Sequence, residues 1–272
     1  MVDERTEPAG TLLTRRRFVA AAAGVAAGAG IARLALQSPG ELTVGLCDPL
    51  ARVTASACVG QYATREYEGL VESVRAATGI RIRLQPYALD DLLIAAVRRG
   101  EVDAVICKAW TALRAGAGLE RLADLPGTTG ARLLRGIFIA RRDSAARTIE
   151  DIAGRRFALT AGAAYESSHQ ARHALTDAGI APGEVVTEAA CLNVAAMVWE
   201  RQADAGVVSD YCVDHSGLQL TGDPEAFRVI GRTDGVPFVT FAVGQGVSTG
   251  TGELLREHLL SLAPGRVPEG LA

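Results

Sequence analysis

The apolar positions of the chain come in short blocks, some continuous and some spaced like a helix face. After the Pro39-Gly40 break, Leu42-Thr43-Val44-Gly45-Leu46 reads as a short buried strand. Between Tyr62 and Thr78 the apolar residues Tyr67, Leu70, Val71 and Val74 recur near helical spacing, and Gly79 is a suitable stop, so the pattern predicts a helix. Ile80 to Leu84 alternates arginine with aliphatic residues, as a strand does. Asp90 and Asp91 lead into a helix through Leu92-Leu93-Ile94-Ala95-Ala96-Val97 that ends at Gly100, and Val102 to Cys107 is the next strand. Strand, helix, strand, helix, strand points to a parallel α/β sheet.

A second round follows. Ile149 to Gly154 leads into a strand from Arg156 to Leu159, and the chain breaks at Gly162 and resumes as a helix reaching Ala178-Gly179. Glu184 to Glu188 is a strand, Asn193 to Arg201 a helix and Ala203 to Val208 a strand. Arg99-Gly100-Glu101-Val102-Asp103-Ala104-Val105 and Arg201-Gln202-Ala203-Asp204-Ala205-Gly206-Val207 share one pattern of helix end, turn, Asp and strand. Two similar α/β lobes account for that repeat. Leu133 to Ala140 is placed to cross from the first lobe to the second, Phe227 to Val243 to cross back, and Leu254 to Leu262 to close the first lobe as a helix. Two crossovers make a hinge. The cleft between the lobes then lies at the carboxyl ends of the strands, where open parallel sheets bind ligands. The expected division is 1–40 outside the fold, 41–136 in lobe 1 completed by 233–272, and 137–232 in lobe 2.

Residues 1–40 carry a different message. Thr14-Arg15-Arg16-Arg17-Phe18-Val19 precedes a mildly apolar run from Val19 to Ala32, whose length of about 14 residues is too short to span a bilayer. A twin-arginine pair ahead of a signal-peptide apolar region fits that arrangement and predicts export of the folded domain to the periplasm. An apolar share of 49% with 22% charged residues is ordinary for a soluble domain, and a net charge of −3 lacks the basic footprint of a nucleic-acid binder. Aromatics at 5% argue against a sugar-stacking groove. The five cysteines are Cys47, Cys58, Cys107, Cys191 and Cys212, with no C-x-x-C among them, so no metal is expected. In an oxidising compartment Cys47 and Cys58 are the nearest candidates for a disulfide, while Cys107 and Cys191 read as small core residues. There is no Walker loop and no His-Glu-x-x-His, and neither catalysis nor a cofactor is expected.

Thr43-Val44-Gly45, the turn Gly100-Glu101-Val102-Asp103-Ala104, Ile149-Glu150-Asp151-Ile152-Ala153-Gly154-Arg155-Arg156 and Ala203 to Tyr211 resemble the periplasmic substrate-binding proteins of phosphonate/phosphite-type ABC transporters. The resemblance spans nearly all of 42–262. It implies a two-lobed type 2 periplasmic binding fold that closes on a small polar or anionic ligand and delivers it to a membrane permease. Family members carry a Ser-Thr-Ser-Gly-like run where the second-lobe helix starts; here that segment is Ala163-Ala164-Tyr165-Glu166-Ser167-Ser168-His169. A carboxylate there repels a phosphonate unless Lys108 or another cation offsets it, an interaction of about 4 kcal/mol for unit charges about 4 Å apart at an effective dielectric near 20. A narrower similarity, carried by Cys47-Asp48-Pro49-Leu50-Ala51, Cys58, Tyr62 and Arg65-Glu66-Tyr67, is to a divergent branch. Some of its members resemble binding-protein-like partners of periplasmic quinoprotein dehydrogenases, so docking on such an enzyme is the alternative function.

Candidate ligand contacts follow from strand ends. Asp48 comes straight after the first strand, as a cleft contact or as a turn residue before Pro49. Tyr62 and Arg65 open the first helix, and Lys108 ends the third strand beside Trp110. Tyr165, Glu166, Ser167 and His169 cluster on the strand-to-helix turn of the second lobe, where exposed N–H groups catch an anion or are capped by Glu166 or Ser167. Ser209, Asp210 and Tyr211 end its last strand. His169 and His173 have the i,i+4 spacing of metal ligands but no third partner nearby in sequence. The expected partners are a small molecule and a permease or periplasmic enzyme, with the protein itself a monomer.

Overall fold

Strands that are mostly apolar along their length need cover on both faces, and several segments meet that description. β1 (Glu41–Cys47), β3 (Ala104–Lys108), β7 (Arg156–Thr160) and β9 (Ala205–Ser209) are buried at almost every position. A computed structural model describes residues 40–56, 58–59, 63–116, 118–126, 132–216 and 225–262, and from Leu42 onward the described chain packs as one compact unit. The expected leader lies outside the described residues.

The chain builds two five-stranded sheets. In the first the order is β2-β1-β3-β12-β4, with β2 at Arg81–Pro86, β4 at Leu119–Leu125 and β12 at Val239–Gly244. In the second it is β10-β6-β9-β7-β8, with β6 at Gly136–Arg141, β8 at Glu184–Glu188 and β10 at Phe227–Arg232. Helices α1 (Glu68–Thr78), α2 (Asp90–Arg98) and α3 (Ala109–Ala115) belong to the first half, and α4 (His169–Asp177), α5 (Cys191–Trp199) and α6 (Asp210–Ser216) to the second. α7 (Thr249–Ser261) returns to the first half, where it packs on α1 and β4. Between the sheets, β5 (Leu133–Leu134) pairs antiparallel with β11 (Val236–Pro237), a two-strand connection of the expected kind.

The sheets are mixed where the sequence predicts parallel ones. β1 runs parallel to β3, and β7 parallel to β8 and β9, but β12 and β6 run antiparallel to their neighbours. The reason lies in the register. The first residue of β12, Val239, sits opposite the last of β3, Lys108, and the first residue of β6, Gly136, sits opposite the last of β9, Ser209. Each crossover enters its sheet at the carboxyl ends of the parallel strands and therefore runs back against them.

The repeated Asp has the same job in both halves. Asp103 accepts a hydrogen bond from the Thr43 amide at 2.8 Å and its own amide donates to the Thr43 carbonyl. Asp204 does the same with Arg156, accepting at 3.0 Å and donating at 2.9 Å. Each aspartate pins an incoming strand to its parallel neighbour.

Three boundaries differ from the sequence pattern. The first helix starts at Glu68, because Arg65 is extended and bridges Ala51; Tyr62 lies outside the described residues. The second-lobe helix starts at His169, so Glu166 and Ser167 belong to the turn before it. α3 and β4 have no counterpart in the sequence reading: α3 is under two turns long, and β4 shows charge at three of its seven positions. Gly116 and Gly118, with φ of 113° and 117°, adopt a backbone that residues bearing a side chain rarely take.

Candidate functional site

The carboxyl ends of β3 and β9 face each other across the two halves. Lys108 Nζ, at the end of β3, lies 3.3 Å from Glu166 Oε1 and 3.3 Å from the Tyr211 hydroxyl, and 5.1 Å from the centre of the Tyr211 ring. The Ser209 hydroxyl, at the end of β9, donates to the same Glu166 oxygen. The Lys108 and Glu166 side chains are 9% and 1% exposed, so the pair is shielded from water. Burial alone lowers the Lys108 pKa, but Glu166, then Tyr211 and Asp90, outweigh it and hold the ammonium well above its usual range. Glu166 Oε2 is buried without a hydrogen-bond partner among the described residues. Gly136 makes room for this turn, since a Cβ there would overlap the Glu166 carbonyl oxygen.

Outside the ion pair, three rings meet across the halves. Trp110, at the start of α3, lies 4.6 Å from the Tyr165 ring and 5.4 Å from that of His169, and Tyr165 and His169 are 5.9 Å apart. Trp110 Nε1 donates to the Gly162 carbonyl at 3.1 Å. Behind them is a cavity of about 220 Å³, lined by Ser56, Asp90, Asp91 and Lys108 from the first half and by Ala163 and Tyr211 from the second. Asp90 accepts from Thr111 Oγ1 at 2.5 Å, and the Ser56 hydroxyl is buried with no partner among the described residues. The acidic pair and Ser56 were not singled out from sequence as ligand contacts; Asp90-Asp91 at a helix start directly after a strand was the available signal.

The fold thus gathers Lys108, Tyr165, Glu166, His169, Ser209 and Tyr211 around one interface. Ser167 is fully buried behind it, its hydroxyl 2.6 Å from that of Thr160. Asp48 and Arg65 are placed otherwise. Asp48 is fully buried, where its Oδ2 accepts from Arg65 Nη1 at 2.8 Å and from the Tyr67 hydroxyl at 2.6 Å, and its Oδ1 from the Leu50 amide at 2.9 Å. Arg65 also donates to the Pro126 carbonyl and lies 5.9 Å from the Phe238 ring centre, so this ion pair ties the loop after β1 to both crossovers. Asp210 is likewise occupied, accepting from the Arg135 and Tyr211 amides at 2.9 and 2.8 Å. The expectation that no Gly-x-Ser-x-Gly spacing is present is wrong, since Gly246–Gly250 has it; its Ser248 caps α7 by accepting from the Thr251 amide at 3.2 Å.

The structure forms no disulfide between Cys47 and Cys58: all five cysteines are buried and disulfide-free. Cys47 sits opposite Cys107 on the neighbouring strand, and its thiol is pushed up to about 12 by burial and then by Asp90. Cys58 is instead beside Cys191 and Cys212. Hydrogen bonds from those two thiols, together with the Leu192 and Cys191 amides, hold the Cys58 thiol well below its usual range.

The family described as ABC transporter, phosphonate, periplasmic substrate-binding protein matches residues 60–271. The chain belongs to this family. The binding protein is similar in fold to XAC2383 from Xanthomonas citri bound to chloride ion, at 22% identity and TM-score 0.65, with 85% of this chain and 87% of that one covered. It is also similar to PhnD1 from Prochlorococcus marinus (MIT 9301) in complex with methylphosphonate, at 12% identity and TM-score 0.60, covering 83% and 85%. A third likeness, at 14% identity and TM-score 0.60, is to a binding protein component of an ABC phosphonate transporter (PA3383) from Pseudomonas aeruginosa, covering 86% and 77%. No curated relative matches the sequence. The two sheets with their linking ribbon are therefore the two lobes of a periplasmic-binding-protein fold, and the protein is a solute-binding component of an ABC transporter. Docking on a dehydrogenase finds no support in these comparisons.

Proposed function

We propose that this binding protein takes a small polar solute that is neutral or carries a positive group, rather than a phosphonate dianion. The observation that carries the reading is the Lys108–Glu166 pair, in which the cation at the cleft is matched by the chain's own carboxylate. Asp90 and Asp91 line the cavity that Lys108 also lines, and with Asp91 paired to Arg114 at 2.7 Å a second anion would meet the Asp90 carboxylate while Lys108 is engaged by Glu166. An amine or amide on the solute would instead meet Asp90, with the Ser56 hydroxyl as a further partner. The 220 Å³ cavity has the volume of about seven waters, which suits a metabolite of amino-acid size. Lobe 1 comprises 41–136 and 233–272, lobe 2 comprises 137–232, and the β5/β11 ribbon is the hinge about which they close. A twin-arginine leader within residues 1–40 delivers the folded monomer to the periplasm.

Calorimetry with methylphosphonate, on the native protein and on Glu166→Ser, tests the ligand class. The native protein should give no binding heat at millimolar concentration. The variant, with Lys108 released, should gain affinity by about one to three orders of magnitude, the range that one removed like charge commands at these separations. Micromolar binding of methylphosphonate by the native protein would overturn the reading.

A further inference from the structure

Three cysteines with no metal-binding spacing in the sequence are brought together by the fold. The Sγ atoms of Cys58, Cys191 and Cys212 all lie within 4.8 Å of one another. Cys58 belongs to the loop after β1 in the first lobe, whereas Cys191 opens α5 and Cys212 lies in α6 of the second. We propose that the three thiols form a site for one thiophilic ion of the monovalent copper class, held by sulfur alone and bridging the two lobes.

The donor set selects the ion. Thiolate sulfur favours soft cations over magnesium, calcium or manganese, which seek oxygen. Three sulfurs each about 2.3 Å from one ion in a plane stand about 4.0 Å apart, within the spread seen here. Exposures of 7%, 2% and 0% for Cys58, Cys191 and Cys212 set the sulfurs away from bulk water, and among the described residues no fourth His, Cys, Asp or Glu joins the group. That shortage disfavours tetrahedral zinc and suits a three-coordinate monovalent ion. The surroundings supply the outer hydrogen bonds that thiolate ligands use: the Ser209 amide donates to Cys191 Sγ at 3.3 Å, and the Cys191 and Leu192 amides at the start of α5 face Cys58. Each thiol that becomes a ligand releases its proton.

The placement also sets a consequence. Cys191 and Cys212 share a lobe, but the third sulfur arrives only when Cys58 closes on them. An ion held by all three binds the closed form in preference to the open one and shifts the lobes toward closure. Ser209 connects the cluster to the cleft, since its hydroxyl lies 3.6 Å from Cys191 Sγ and donates to Glu166.

The test is anaerobic titration of the reduced full chain with Cu(I) against a colorimetric Cu(I) chelator, with X-ray absorption at the copper edge. We expect one ion per chain in competition with the chelator and a shell of three sulfurs at about 2.3 Å. Cys58→Ser should weaken binding by at least about 100-fold, and Cys107→Ser should leave it unchanged. Solution scattering should show compaction by Cu(I) in the native protein and none in Cys58→Ser. The absorption spectrum of the native protein decides the matter even if Cys58→Ser fails to fold. Loss of the ion to the chelator, a shell of nitrogen or oxygen, or binding that survives Cys58→Ser and disappears in Cys107→Ser would each overturn the proposal. So would a disulfide between any two of the three in protein isolated without reductant.

Discussion

Asp48 and Arg65 show how a charged pair can look like a ligand site while holding the fold. Both side chains are completely buried, and three donors converge on the carboxylate. Burying two charges is costly, and the pair recovers that cost only through close contact and further hydrogen bonds. Removing one partner strands the other. Arg65→Met should therefore cost about 3–5 kcal/mol in urea unfolding, far more than loss of an exposed pair such as Arg52–Glu66. Cys47 gives a second prediction at this scale. Its folded pKa of about 12 lies above the ordinary thiol value of 9.0, so its stabilising contribution is complete below pH 9 and is lost as pH rises toward 12. Urea midpoints measured from pH 8 to 11 should fall across the upper half of that range, and a Cys47→Ala variant should fall less steeply.

Among the elements, the repeated aspartates make the clearest comparison. Asp103 and Asp204 each accept from an amide near the start of a neighbouring parallel strand, one per lobe. Their replacement by alanine leaves that amide unpaired, with an expected loss of about 1–2 kcal/mol in either lobe by denaturant unfolding. Gly136 belongs to this scale too, because β6 and the 163–168 turn approach more closely than any side chain permits. Gly136→Ala should push the Glu166 backbone away from Lys108 and cost about 1–3 kcal/mol as overpacking. A crystal structure of the variant would show the Lys108–Glu166 distance lengthened beyond the 3.3 Å of the native chain.

At the scale of the whole molecule, the Lys108–Glu166 ion pair, the Trp110–Gly162 hydrogen bond, the cluster of three rings and an apolar core that runs through Tyr211 and Phe238 join the lobes among the described residues. Lys108→Met leaves Glu166 buried and uncompensated, which should open the cleft and raise the radius of gyration in solution scattering. The raised pKa of Lys108 sets the sign of the pH dependence. Its contribution is fully present below the unfolded value of about 10.4 and is lost only as pH climbs through the higher folded value. Closure that depends on this lysine should thus hold steady from neutrality to about pH 10.

By itself the sequence determined the two rounds of strand and helix, the paired Asp turns and the ends of β3 and β9 where the cleft forms. Those features are local: apolar runs, helix periodicity and glycine stops depend on residues a few positions apart. Lys108, Glu166 and Tyr211 were legible as candidates for the same reason, since each stands at a strand end or on the segment that follows one. Only the tertiary structure decided that β6 and β12 run backward in their sheets, a matter of where each crossover enters. The fate of Asp48 also lay beyond local pattern, because its partners are 17 and 19 residues away and their burial fixes its role. Cys58, Cys191 and Cys212 are spread over more than half the chain and become neighbours only when one lobe lies against the other.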